Sequence, residues 1–227
     1  MFSRMTFTTL LVAIASMMIT ANAHAVFVSP DDFATGWSRG DTDTLYAEWD
    51  LFESSTNALP DVGSFHPPAG DPTLSSDTGG VTGTANIYGF NAHTITIDTA
   101  NYNTASSNTT VVVQIRTQGT EYDPSTLMIN GAAPTYLGEL SRTPVASFGG
   151  DTFEVDTWAL FNLSGADDLT VSFTASGQHM SLLAVALDAI VTDSSGFASV
   201  TPQGAPVPQP ASLVMLLGGL ALMRRRK

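Results

Sequence analysis

Three groups of residues have the types and spacing to do chemistry. Gly36-Trp37-Ser38-Arg39-Gly40 carries the G-x-S-x-G spacing of serine hydrolases. That chemistry needs a strand entering the pentapeptide and a helix leaving it, so that the serine projects from a sharp turn. Asp31-Asp32 precedes it and Asp41-Thr42-Asp43-Thr44 follows, with no helical pattern, so Ser38 is expected in a surface loop and not as a nucleophile. The second group is acidic. Glu48 and Asp50 are two apart and share one face of an extended segment, and Asp188 interrupts an apolar run where an uncompensated charge would be costly to bury. If the first and last strands lie side by side, these three carboxylates converge on Ca²⁺, whose hard oxygen shell suits them. The alternative leaves Glu48 and Asp50 solvated, with Asp188 accepting a loop N–H. Third, Trp158 shares a face with Glu154 and Asp156, where its ring could stack on a sugar; a strand covered on both faces would bury it instead.

The remaining chemistry is thin. His24, His66, His93 and His179 are isolated from one another, and none has the spacing of a helical metal motif. His93 falls on an apolar face with Ile95 and Ile97, which reads as a core or edge histidine. There is no cysteine, so thiol nucleophiles, cysteine zinc sites and disulfides are all excluded. No catalytic motif results, although a glycosidase carboxylate pair is defined by distance in space and leaves no sequence spacing to find.

The elements that must position these groups are strands. Short alternating segments recur between Gly-, Asn-, Asp-, Ser- and Pro-rich turns, and no long stretch has helical periodicity. Leu45, Ala47, Trp49 and Leu51 share one face; so do His93, Ile95 and Ile97, then Val111, Val113 and Ile115, then Leu169, Val171 and Phe173. Phe153 and Val155 oppose Glu154, Asp156 and Trp158. Ser181–Val191 is apolar on both faces, as in a central strand covered on both sides. Pro60–Gly80 is rich in proline and glycine and reads as a long surface loop. The expectation is an all-β fold, an antiparallel two-sheet β-sandwich of jelly-roll type with about eight to ten strands.

Both ends carry export signals. Residues 1–25 have Arg4, an uncharged apolar run Met5–Thr20, and small residues at Ala21, Ala23 and Ala25, the pattern of a cleavable signal peptide. The ectodomain is expected over 26–193, followed by a Ser/Pro/Gly linker over 194–207. From 208 to 227 come Pro208-Gln209-Pro210, the apolar run Ala211–Met223 and the basic cluster Arg224-Arg225-Arg226-Lys227. The basic cluster orients this helix with its C-terminus in the cytoplasm. As a helix the run reaches only ~20 Å against a hydrocarbon core of ~30 Å, short for a permanent anchor. This tail resembles the PEP-CTERM sorting domain of exported bacterial proteins, with Gln209 where glutamate is usual. The ectodomain is also similar to β-sandwich ectodomains that carry this tail, through Trp37-Ser38-Arg39-Gly40-Asp41, Glu48-Trp49-Asp50 and Glu139-Leu140-Ser141-Arg142. The resemblance implies processing by an exosortase, transient membrane association through the helix, and residence at the surface or in the extracellular matrix of a Gram-negative bacterium that makes polysaccharide.

Charge narrows the partners. All 21 acidic residues lie in the ectodomain with only Arg39, Arg116 and Arg142, which leaves it at −18. Such a surface repels phosphate backbones and excludes nucleic acid as a partner. The expected function is a non-catalytic surface or matrix protein that binds polysaccharide or other matrix components. A carbohydrate-active enzyme with paired carboxylates and a purely structural matrix component are the alternatives.

Overall fold

The computed structural model describes residues 27–33, 37–64, 71–101, 107–147, 150–165, 167–193 and 196–199. The signal segment, the tail with Pro208, Gln209, Pro210, Arg224, Arg225 and Arg226, most of the linker, and His24 and His66 lie outside them. Alternation between apolar and small polar residues produces strands throughout, and no α-helix occurs among the described residues. In chain order the strands are β1 (Thr44–Trp49), β2 (Val62–Ser64), β3 (Thr73–Ser76), β4 (Gly80–Val81), β5 (Ile87–Gly89), β6 (Thr94–Thr99), β7 (Ser107–Gly119), β8 (Met128–Ile129), β9 (Tyr136–Ser147), β10 (Gly150–Ser164), β11 (Leu169–Thr174) and β12 (Met180–Asp193).

They form two antiparallel sheets. The larger runs β2-β1-β12-β7-β10-β9, with β5 continuing the β1 edge of β12 and β4 paired to β5; the smaller runs β3-β6-β11-β8. Inward residues of both sheets meet in one buried cluster. Leu45, Ala47 and Trp49, Val111 and Val113, and Val185 and Leu187 from the larger sheet face Ile95, Ile97, Val171 and Phe173 from the smaller. Each large side chain buried this way contributes about 1.5–3 kcal/mol, which supplies the stability that disulfides would otherwise provide.

The first and last strands are neighbours, with Tyr46 opposite Asp188 and Glu48 opposite Ala186. β12 is central, as its two apolar faces require. A bulge between Leu182 and Ala184 shifts its phase, so Leu182 and Val185 both point inward although they are three apart. After the bulge the outward positions are Ala184 and Ala186, small enough for another layer to pack on them.

That layer is the N-terminal segment. Phe27 packs on Tyr46, Ala184 and Ala186, and Val28 packs against Val112, Trp158 and Leu160. Gln114 fixes it by exchanging two hydrogen bonds with the Val28 main chain, accepting from its N–H (3.0 Å) and donating to its carbonyl (2.8 Å), as a neighbouring strand would.

Three expectations need correction. Pro60–Gly80 is not simply a surface loop, because β2 and β3 fall inside it and Leu74 is fully buried. Thr73-Leu74-Ser75-Ser76 shows one large apolar side chain, too few for alternation to be visible. Leu51 is 44% exposed, because β1 ends at Trp49 and the chain turns before Leu51 can face the core. The strands also number twelve among the described residues, the excess over ten coming from two-residue pieces such as β4 and β8.

Candidate functional site

The chemistry-bearing residues singled out from sequence mostly have structural roles. Ser38 lies in the turn before β1, where its N–H donates to Asp41 Oδ2 (2.8 Å). Among the described residues that follow it there is no α-helix, which an elbow would require. Glu48 and Asp188 do share the outer face of the larger sheet, as their register requires, but a cation is already there. Asp188, 0% exposed, accepts from Arg39 Nε (2.6 Å) and Nη2 (2.8 Å), and Arg39 lies 3.7 Å over the Tyr46 ring. The Tyr46 hydroxyl in turn donates to Glu48. Burial, then this bond to Glu48, push the Tyr46 phenol well up. Burial pulls the Arg39 guanidinium down, but the hydrogen bond and charge of Asp188 outweigh it and leave it raised. Asp50 lies past the end of β1, with its N–H donating to Asp61 Oδ2 (2.8 Å). The calcium expectation for Glu48, Asp50 and Asp188 therefore gains no geometric support: Asp188 gives both oxygens to Arg39. Among the described residues no group of three or more His, Cys, Asp or Glu is placed to hold a metal ion.

The other two arginines among the described residues are also paired. Arg116 contacts Asp156 (2.6 and 3.0 Å), which also accepts from Ser141 (2.7 Å), and Arg142 bridges Glu121 and Glu139. Trp158 is 3% exposed, its ring tilted 33° against that of Tyr136 at 4.6 Å and covered by Val28 and Leu140. It offers no ring face to a sugar, which corrects the expectation of Trp158 as a ligand platform; the layer laid over the outer face is what buries it.

His93 is buried, and neither ring nitrogen has a hydrogen-bond partner of good geometry. Its ring fills the space where Gly89 has no side chain, and a Cβ at Gly89 would overlap it. Burial pulls its pKa below the usual imidazole range, and the nearby Asn91 main chain and Asp77 oppose this without cancelling it. The unfolded chain therefore binds a proton here more readily than the folded one. Stability from neutral His93 is complete above about pH 6.5 and is lost as pH falls below it, by at most ~1.4 kcal/mol per pH unit. Thermal melts across that range should fall less steeply for His93→Leu than for the wild type; equal slopes would remove His93 as the cause.

The open chemistry lies at the end of the outer face that the N-terminal layer does not reach. Here the outward residues are polar: Gln118 of β7, Ser181 of β12 and Thr152 of β10 floor a groove of ≈ 790 Å³. One wall is the β4–β5 hairpin with Thr84, Asn86 and Tyr88, and the other is the β9–β10 tip with Ser147, Gly150 and Asp151. Tyr88 points outward because Ile87 beside it points into the core. Its hydroxyl shares a hydrogen bond with His179 Nδ1 (2.6 Å), the rings stacking at 6.0 Å and 24°. Phe90, 73% exposed, sits edge-on to Tyr88 at 5.0 Å.

The cluster is tied to its neighbours through main-chain hydrogen bonds. His179 has φ +68°, a conformation uncommon outside glycine, and its N–H donates to the Gly89 carbonyl (3.0 Å) while its own carbonyl accepts from Thr120 N–H (3.3 Å). Gly119 permits this approach: a Cβ there would lie 2.6 Å from the His179 carbonyl. Strain maintained at an exposed aromatic group is characteristic of binding sites. Sequence reading missed this cluster because its two parts, Tyr88–Phe90 and His179, are 91 residues apart; the only local cue is Tyr88-Gly89-Phe90, two aromatics flanking a glycine.

A shallower hollow of ≈ 390 Å³ on the smaller sheet gathers Asp71, Asp98 and Asp168. Asp98 accepts from Thr170 Oγ1 (2.7 Å) and Asp168 from Asn101 N–H (3.1 Å), so two of the three already serve neighbouring donors. No protein family matches the chain, and neither a curated protein nor a solved structure matches it.

Proposed function

We propose that this chain is an exported surface or matrix protein, sorted by an exosortase-type system through its C-terminal tail, whose jelly-roll-like sandwich binds polysaccharide without catalysis. The observation that carries the binding reading is the exposed Tyr88–Phe90–His179 cluster beside an open groove lined by hydroxyl and amide groups. Aromatic rings present flat apolar faces, and the polar groups fix orientation through hydrogen bonds. Binding is favoured over hydrolysis because the described lining of the groove holds one carboxylate, Asp151, where glycosidases place two about 5–10 Å apart. The sorting reading rests on Pro208, Pro210, the short apolar run and Arg224–Arg226. Calcium enters as a stabilising ion only if melting responds to it.

Affinity electrophoresis of the exported protein through gels containing polysaccharide tests the first part. Retardation of the wild type should be lost in Phe90→Ala and Tyr88→Ala, while Ser38→Ala migrates like the wild type. Retardation unchanged in both aromatic variants would place the ligand elsewhere. Mass spectrometry of the surface-exposed protein tests the second: a C-terminus near Pro210 is expected, and intact Lys227 would leave a plain membrane anchor.

A further inference from the structure

The groove has a neighbour. On the other side of the aromatic ridge a second hollow of ≈ 510 Å³ is lined by Thr78, Gly80, Val81, Phe90 and Asn91, and it shares Thr82 and Tyr88 with the groove. Each cavity alone falls in the ~300–1,000 Å³ range of small-ligand sites. A single compact ligand would fill one and leave the other wet. A chain of repeating units crossing the ridge would occupy both, with the ring of Phe90 under the unit at the crossing. Both cavities open to solvent rather than being enclosed, so a ligand longer than either can extend beyond it.

Charge selects among such chains. The described linings contain no arginine or lysine, and their one formal charge is the carboxylate of Asp151. The cations that might recruit an acidic polymer are engaged elsewhere: Arg116 by Asp156 and Glu154, Arg142 by Glu121 and Glu139, Arg39 by Asp188. An ectodomain at −18 repels uronates and sulfated sugars before contact. Neutral sugars meet hydroxyl and amide partners in Thr84, Asn86, Gln118, Thr120, Thr152 and Ser181, each able to donate and accept.

We infer that the site takes an internal stretch of an uncharged polysaccharide, with sugar units on both sides of the Tyr88–Phe90 ridge. The inference rests on the polysaccharide reading above and adds the class of chain and the way it lies.

Calorimetric titration of the exported protein with neutral gluco-, manno- and galacto-oligosaccharides of one to six units, and with oligouronates of matched length, tests it. Affinity for the neutral series should rise about tenfold or more from the monosaccharide to the hexasaccharide, and oligouronates should bind more weakly at every length. Phe90→Ala should lower hexasaccharide affinity about tenfold, the loss of one stacked ring. Val81→Asp, at an exposed edge position in the second hollow, should reduce hexasaccharide affinity toward that of the disaccharide. Length-independent binding, or preference for uronates, overturns this inference while the polysaccharide reading stands. Absence of binding by every probe overturns both.

Discussion

Replacing Arg39 by alanine should lower the melting temperature by about 6–12 °C. Asp188 sits in the middle of β12 with no exposure, opposite Tyr46 on one side and Val112 on the other, and both its oxygens accept from the Arg39 guanidinium. Removing one partner of a buried pair leaves the other charge uncompensated, a loss of about 3–5 kcal/mol. Arg39 itself keeps 21% side-chain exposure, so water can partly replace it, and the lower end, about 3 kcal/mol, is the better expectation. In a domain of this size each kcal/mol moves the midpoint by about 2–4 °C. Two smaller contacts disappear with it, the bond to the Val28 carbonyl (3.3 Å) and the stacking over Tyr46, so the N-terminal layer should loosen as well. The double variant Arg39→Met with Asp188→Leu removes both charges and should regain most of the stability. A shift in Arg39→Ala of no more than about 1 °C would mean that the carboxylate is not held in this way.

The same pair shows where sequence reasoning succeeds and where it runs out. Alternation located the inward faces of β1, β6, β7 and β11, because an i, i+2 pattern of Val, Ile, Leu and Phe survives in sequence whenever one face is buried, while β12, apolar on both faces, read as a central strand. It also marked Asp188 as a charge in the wrong place, and β1 does lie beside β12, the condition under which Glu48 and Asp188 were expected to meet. It could not supply Arg39, 149 residues away, nor the N-terminal layer that brings this arginine over the sheet. The partners expected for Asp188 were a metal ion or a loop N–H, and the ion pair with one of the three arginines of residues 26–193 was not among them. The groove was illegible for a related reason. Its floor depends on the bulge at Leu182–Ala184, which sets how far the outward face stays polar, and its walls come from two hairpins more than sixty residues apart. Neither a bulge nor a long-range pairing leaves a periodic mark. Trp158 illustrates the limit from the other side: its face was identified, but what covers that face was not.

Trp49→Ala should be at least as damaging as Arg39→Ala, by a different mechanism. Trp49 is 1% exposed within the shared core, and its indole N–H donates to the Ala58 carbonyl (3.0 Å). Ala58 in turn exchanges two main-chain hydrogen bonds with Leu74 of β3 (2.8 and 2.9 Å). The side chain therefore ties β1 of the larger sheet to the edge of the smaller one through the intervening loop. Truncation to alanine opens a cavity, a loss of about 3–5 kcal/mol. The hydrogen bond to Ala58 is lost with it, adding about 1–3 kcal/mol if the carbonyl stays dry. Trp49→Phe separates the two contributions: it retains most of the volume and none of the N–H, and a loss of about 1–2 kcal/mol is expected. Urea denaturation of the two variants measures both, with unchanged m-values if the folded and unfolded ensembles keep their exposure. Equal losses in the two variants would assign the stability to the hydrogen bond. A loss under about 2 kcal/mol in Trp49→Ala would mean that the core closes over the vacancy, which two sheets pinned by Leu74 and Ala58 at this edge should resist.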